Sequence, residues 1–199
     1  MKSIRRLNTF LAIVAVLLLG VGSAMAIRYA VSNEQKSNPS PSSSSQQVQD
    51  EEQQQNVDTT DTTKQQLLFL IEEEKLAHDV YKAMYQKYGA KVFGNILRSE
   101  STHQNRVLTL LQARNVADPR SAEIGVFNNQ DLQNFYNQLI EQGNKNEVEA
   151  YKVGVAIEER DIADISKQLA TSSDADVITT LEDLRRGSEN HLRAFNRQL

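Results

Sequence analysis

The sequence predicts an all-α domain: an antiparallel four-helix bundle whose two helical pairs are joined by one long crossover connection carrying a short extra helix. Three observations predict it. From Leu67 onward apolar residues recur every three or four positions, the period of a helix buried on one face. Turn residues cut that stretch into four long segments, two close pairs with a long connection between them. No alternating, strand-like pattern competes with this reading.

The chain of 199 residues divides into three parts. In residues 1–28, Lys2, Arg5 and Arg6 precede an apolar run from Phe10 to Val21, and Ala24-Met25-Ala26 supplies small residues at a cleavable position. That order is expected of an export signal cut after Ala26. The alternative is an uncleaved membrane anchor, because Phe10 to Ile27 gives 18 residues without a charge. Both readings place the remainder outside the cytoplasm, periplasmic, extracellular or tethered to the membrane. Residues 29–66 are Ser- and Gln-rich and almost devoid of aliphatic side chains. Such a stretch buries too little apolar surface to offset its ordering entropy, so a disordered linker is expected.

Residues 67–199 form the expected folded domain. The first helix is predicted from about Gln66 to Tyr88, with Leu67, Ile71, Glu74, His78, Tyr81 and Tyr85 on one face and Gly89 ending it. The second, about Lys91 to Asn115, places Phe93, Ile96, Leu97, Glu100, His103, Val107, Leu110 and Leu111 on one face. The link between them is short, which makes them antiparallel neighbours. After Asp118-Pro119 comes the crossover, with a short helix from about Asn129 to Gln142. The third long helix, about Asn146 to Ala170, aligns Tyr151, Val155, Glu158, Ile162, Ile165 and Leu169. Asp174 is the expected N-cap of the fourth, which aligns Ile178, Leu181, Leu184, Ser188, His191 and Phe195.

Composition narrows the chemistry. The net charge is −4, with no basic stretch of the kind that binds nucleic acid, and there is no Cys. Disulfides, thiolate metal sites, iron–sulfur clusters and cysteine nucleophiles are excluded. A metal would be held by oxygen and imidazole ligands, which suits iron, manganese or zinc.

Glu74, Glu100, His103, Glu158 and His191 each fall in register with the apolar stripe of their helix. Several ionised carboxylates turned into one bundle repel one another and lose their hydration, and a dication resolves both problems. Ferritin-like dimetal proteins use this logic, with a Glu from each of two helices and a Glu-x-x-His pair from each of the other two. Here Glu100 and His103 make the full pair, while Ser188 stands where the fourth helix would carry its Glu. The site is therefore expected to be asymmetric, with one strong metal position and one weak. Asp161, Glu159 or Glu182 could supply the missing carboxylate if the bundle is slightly rotated.

Other polar residues have structural readings. Glu72 and Glu73 are expected on a solvated face near the helix start, where acidic residues suit the helix dipole. His78 is either a partner of a ligand or an imidazole bonded to its neighbour. Tyr81, Tyr85, Tyr136 and Tyr151 are expected to be core aromatics whose hydroxyls reach polar partners. Of Arg185, Arg186 and Arg193, two of the three are expected at the surface.

The runs EEEKLAHDVY, FGNILRSESTH, DPR with GVF, VGVAIEERDIADI and RRGSENHLRAF, in that order from Leu67 to Phe195, resemble the DUF2202 family of ferritin-like domains. The resemblance implies a ferritin-like, rubrerythrin-related fold with metal ligands at Glu74, Glu100, His103, Glu158 and His191. It also implies iron as the metal, as two ions or as one strong and one weak site, and a reaction with oxygen or peroxide. Non-catalytic metal sequestration or sensing is the alternative function, and a purely structural helical module the second alternative. Expected partners are metal ions, a second copy of the chain as a homodimer, and an external electron donor if the protein is an enzyme. No nucleic-acid partner is expected, and a membrane only through an uncleaved N-terminal segment.

Overall fold

A computed structural model describes residues 44–199, with side chains from 61 onward. The expected export segment, residues 1–28, lies outside the described residues, as does the start of the linker. Five helices follow in order: α1 Ser44–Tyr88, α2 Lys91–Ala113, α3 Gln130–Gly143, α4 Glu147–Thr171 and α5 Ala175–Asn196. Among the described residues no strand occurs, so the expected all-α bundle is what the chain forms. None of these helices is long and apolar enough to cross a membrane.

Helix α1 begins at Ser44 instead of near Gln66, so the second half of the expected disordered linker is helical. The reason is local: beyond Pro41 no Pro or Gly interrupts the chain before Gly89, and Gln, Glu and Lys propagate a helix well. Gly89 then ends it with φ of 67°, a left-handed conformation that a side chain would resist. Helix α2 closes with a Schellman motif, in which Asn115 at φ 56° lets Val116 N–H bond to Leu111 O at 2.9 Å. Asn129 and Asn146 cap α3 and α4 through their side chains. Asp174 sits at the N-cap position of α5 but makes no side-chain cap bond. Its carboxylate instead accepts from the Arg114 guanidinium at 3.1 Å, an ion pair in place of the cap bond.

Helices α1 with α2 and α4 with α5 form the two main packed pairs, and α2–α5 and α1–α4 contacts close the bundle. The crossover drapes over the outer side of α1 and is fastened there. Glu72 accepts backbone N–H groups from Asn128 at 2.7 Å and Asn129 at 2.9 Å. Lys75 pairs with Asp79 at 2.6 Å and donates to the carbonyls of Glu123 and Val126, while Gly125 N–H donates to Asp79 at 2.9 Å. Residues 71–77 of α1 are consequently buried on every side.

The apolar core is split in two. One cluster holds Leu76, Val80, Tyr81, Met84, Phe93, Ile96, Val153, Ile157 and Phe195 among its members. The other holds Leu67, Leu70, Ile71, Val107, Leu110, Leu111, Ile165, Val177, Leu181 and Leu184. Between them every long helix places buried polar residues: Glu74 on α1, Glu100 and His103 on α2, Glu158 and Asp161 on α4, Ser188 and His191 on α5. A polar layer therefore interrupts the core at mid-height.

Candidate metal centre

All five residues expected as ligands lie in this layer and are at most 8% exposed. They assemble into two groups, Glu74 with Glu100 and His103, and Glu100 with Glu158 and His191. Within each group one ligand atom per residue lies within 4.8 Å of the others. Glu100 belongs to both. Its Oε2 is 3.1 Å from His103 Nδ1 and its Oε1 is 2.9 Å from His191 Nδ1. His103 Nδ1 also lies 3.2 Å from Glu74 Oε2, and His191 Nδ1 lies 3.5 Å from Glu158 Oε1. The two imidazoles stack with ring centroids 5.5 Å apart.

Close approach does not satisfy these atoms. Glu74 Oε1, Glu100 Oε1, Asp161 Oδ1 and His191 Nδ1 are all buried without a hydrogen-bond partner of proper geometry. Native interiors contain few such orphans, and four in one layer call for a ligand that accepts lone pairs. Oxygen and imidazole nitrogen are the donors of iron, manganese and zinc sites, so the residues fit a metal chemically as well as in number.

The electrostatics of the metal-free layer express the same strain. Burial pushes Glu74 up to about 8, although His103 pulls it down. Glu158 is likewise raised by burial to about 7, against the pull of His191. Glu100 is the exception: burial raises it, but the close imidazoles of His103 and His191 prevail and hold it at about 2. Burial pushes both histidines down, yet Glu100 and Glu74 raise His103 to about 11, and Glu100 and Glu158 raise His191 to about 10. Asp161 is driven well above the carboxylate range by burial, then by the charges of Glu74 and Glu158. Without a metal the layer is held together by protons.

The surrounding residues divide differently from expectation. Glu72 and Glu73 are not solvated; each is 3% exposed. Glu72 fastens that crossover, and Glu73 pairs with Arg160 of α4 at 3.2 Å. The run Glu72-Glu73-Glu74 thus serves three separate purposes. His78 bonds to Asp79 at 3.0 Å and stands outside both groups, which makes the neighbour-bonded reading the correct one. Tyr81 is a core aromatic whose hydroxyl donates to Glu158 Oε1 at 2.5 Å. Tyr151 stacks on Phe93 and Tyr136 packs on Phe127, both partly buried. Tyr85 departs from the expectation: it is 42% exposed, lying over the α1–α2 contact where Gly94 leaves room for its ring. Arg186 and Arg193 are exposed and pair with Asp183 and Asn190, while Arg185 is half-buried.

Of the three carboxylates that could replace the missing Glu, Glu159 and Glu182 are exposed and Asp161 is buried in the layer. Asp161 Oδ2 accepts a hydrogen bond from Ser188 Oγ. Gly187 was not foreseen as part of the site. A Cβ there would lie 2.6 Å from His103 Nε2, so the glycine makes room for the outer edge of the imidazole. A helix-interior glycine one residue before Ser188 was the available signal.

Comparison with known proteins places this geometry in a family. The model of the DUF2202 family, described as an uncharacterized protein domain, matches residues 63–199. The chain is 46% identical over 129 residues to the uncharacterized protein MJ0754 of Methanocaldococcus jannaschii, covering 64% of this chain and 70% of that one. The crystal structure of the hypothetical protein MJ0754 from Methanococcus jannaschii superposes with a TM-score of 0.67 at 44% identity, covering 68% of this chain and 78% of that chain. On the span and specificity of these matches, the chain belongs to the DUF2202 family.

Proposed function

We propose that this domain is a ferritin-like, rubrerythrin-related di-iron carboxylate protein that reacts with oxygen or peroxide outside the cytoplasm. One observation carries the proposal: Glu100 is shared by two buried carboxylate–imidazole groups, each completed by a different pair of helices. Glu74 and His103 would hold one ion, Glu158 and His191 the other, with Glu100 between them. Export is supported by the basic residues and apolar run within residues 1–28.

A pair of ferrous ions would supply the two electrons that reduce peroxide to water. The protein's part is to fix and neutralise the site and exclude bulk water from it. The Tyr81 hydroxyl oxygen, 2.5 Å from Glu158 Oε1, holds a proton inside the layer. The two apolar clusters above and below keep the site in a low-dielectric environment, where charge interactions are strong. With no Cys in the chain, reducing equivalents would come from a separate donor.

The test is to strip the full-length protein of metal, reload it anaerobically with ferrous iron, and follow metal content and peroxide or oxygen consumption. The proposal expects about two ions per chain, by the dimetal pattern, and turnover that vanishes in Glu100→Ala. Two bound ions without any consumption would make the domain a metal-sequestering or sensing module. Absence of binding for iron, manganese and zinc would sink the metal centre itself.

A further inference from the structure

The polar layer contains one carboxylate that the two three-residue groups leave out. Asp161 is 6% exposed, lies one helical turn after Glu158 on the same face of α4, and keeps Oδ1 without a hydrogen-bond partner. Its other oxygen is taken by Ser188 Oγ, which also lies 3.1 Å from Leu184 O. Ser188 stands three residues before His191, the position that Glu100 occupies before His103. A hydroxyl therefore replaces a carboxylate on α5, and it binds the carboxylate that α4 offers in exchange.

We propose that Asp161 is a ligand of the metal centre, oriented by Ser188, and that it restores on α4 the carboxylate missing from α5. This rests on the dimetal reading above. Glu74, Glu100 and Glu158 alone bring three negative charges to two divalent ions and leave an unbalanced buried charge. Asp161 brings the fourth, so the donor set becomes four carboxylates and two imidazoles, the count found in ferritin-like dimetal sites. The unpartnered Oδ1 is the atom available to an ion. Ser188 does for Asp161 what hydrogen-bond partners generally do for metal ligands: it fixes which oxygen faces the ion. The asymmetry expected from the sequence is thereby reduced to a change of helix, and the second metal position is a full one.

The proposal is tested by titrating full-length, metal-free protein with Co2+, reading stoichiometry by calorimetry and coordination by visible absorption. Wild type is expected to bind two ions per chain. Asp161→Asn should keep one ion and weaken the other by at least about tenfold, with an altered absorption band, and Ser188→Ala should weaken it by about tenfold, the usual range for losing a ligand's hydrogen-bond partner. The double variant Asp161→Ala with Ser188→Glu returns the carboxylate to α5 and should recover two-ion binding. Thermal melts of the metal-free variants check folding. Two ions bound by Asp161→Asn with wild-type affinity and spectrum would overturn the role of Asp161 while leaving the metal centre standing. Wild type that binds no ion would overturn both.

Discussion

Tyr81 on α1 donates its hydroxyl hydrogen to Glu158 on α4 across 2.5 Å, joining the wall of one apolar cluster to the polar layer above it. Burial followed by the charges of Glu158 and Glu100 pushes the phenol well above its ordinary range, so it stays a donor at any physiological pH. Glu158, which burial raises and this bond helps to lower, depends on it. Tyr81→Phe should cost about 1–2 kcal/mol of metal-free stability, the usual loss when a buried acceptor is orphaned. Chemical denaturation of both proteins without metal measures it. An unchanged midpoint would show that Glu158 finds another partner.

Gly187 and His103 give a prediction of opposite kind. Alanine improves helix propensity at an interior glycine by about 1 kcal/mol, but its Cβ would sit 2.6 Å from His103 Nε2. The ring must move. Gly187→Ala should leave the melting temperature of the metal-free protein near wild type while weakening the ion held by Glu74, Glu100 and His103. Cobalt titration would show one site intact and one shifted; two unaltered sites would mean the ring relaxes without cost.

Metal affinity should rise with pH. In the metal-free protein His103 titrates at about 11, His191 at about 10, Glu74 at about 8 and Glu158 at about 7, so near neutrality the layer carries protons that a metal must displace. Calorimetry in buffers of different ionisation enthalpy at pH 7 should therefore detect proton release on binding. Affinity that falls between pH 6.5 and pH 8.5 would contradict this assignment of protons.

The same groups set the stability of the metal-free fold. All four have folded pKa values above their unfolded ones, so the native state binds more protons and their contribution is greatest at low pH. The carboxylate share is full below about 4.5 and is lost as pH rises toward 7 and 8; the histidine share is full below about 6.5 and is lost toward 10 and 11. Glu100 has the reverse sign, its contribution present above about 4.5 and lost as pH falls toward 2. Metal-free protein should melt lower at pH 9 than at pH 6, and bound metal should diminish or reverse that trend. Equal melting temperatures at the two pH values without metal would show the layer to be hydrated.

Asp79 fastens the crossover to α1 through Gly125 and through Lys75, and despite burial these partners and His78 hold its carboxyl below the usual range. Asp79→Ala leaves the buried Lys75 ammonium with carbonyl acceptors but no counter-charge. About 3 kcal/mol of stability should be lost, as when one partner of a buried pair is removed. Limited proteolysis should then cut within residues 114–129 before any other part of the bundle, and cutting elsewhere first would show that the crossover is held by other contacts.

Helical periodicity is a property of one segment, and it was sufficient for what one segment decides. It marked four long helices, the crossover between two pairs, and the inward faces on which Glu74, Glu100, His103, Glu158 and His191 lie. The stop at Gly89 and the start of the short helix near Asn129 were equally legible. The start of α1 is less legible, because a polar composition reads as disorder while the absence of Pro and Gly permits a helix from Ser44.

Only the tertiary structure decided what each face meets. Glu72 and Glu73 occupy positions that a lone helix would expose; Glu72 is buried under a crossover some fifty residues later, and Glu73 is buried beside Arg160 of α4. Asp161, Glu159 and Glu182 were equivalent as acidic residues near the right height, until the packing of α4 on α5 set Asp161 against Ser188 and left the others in solvent. A sequence specifies the direction of a side chain through the local period of the backbone. Its partner is set by the packing of elements distant in the chain, and here that packing brings carboxylates and imidazoles into one buried layer.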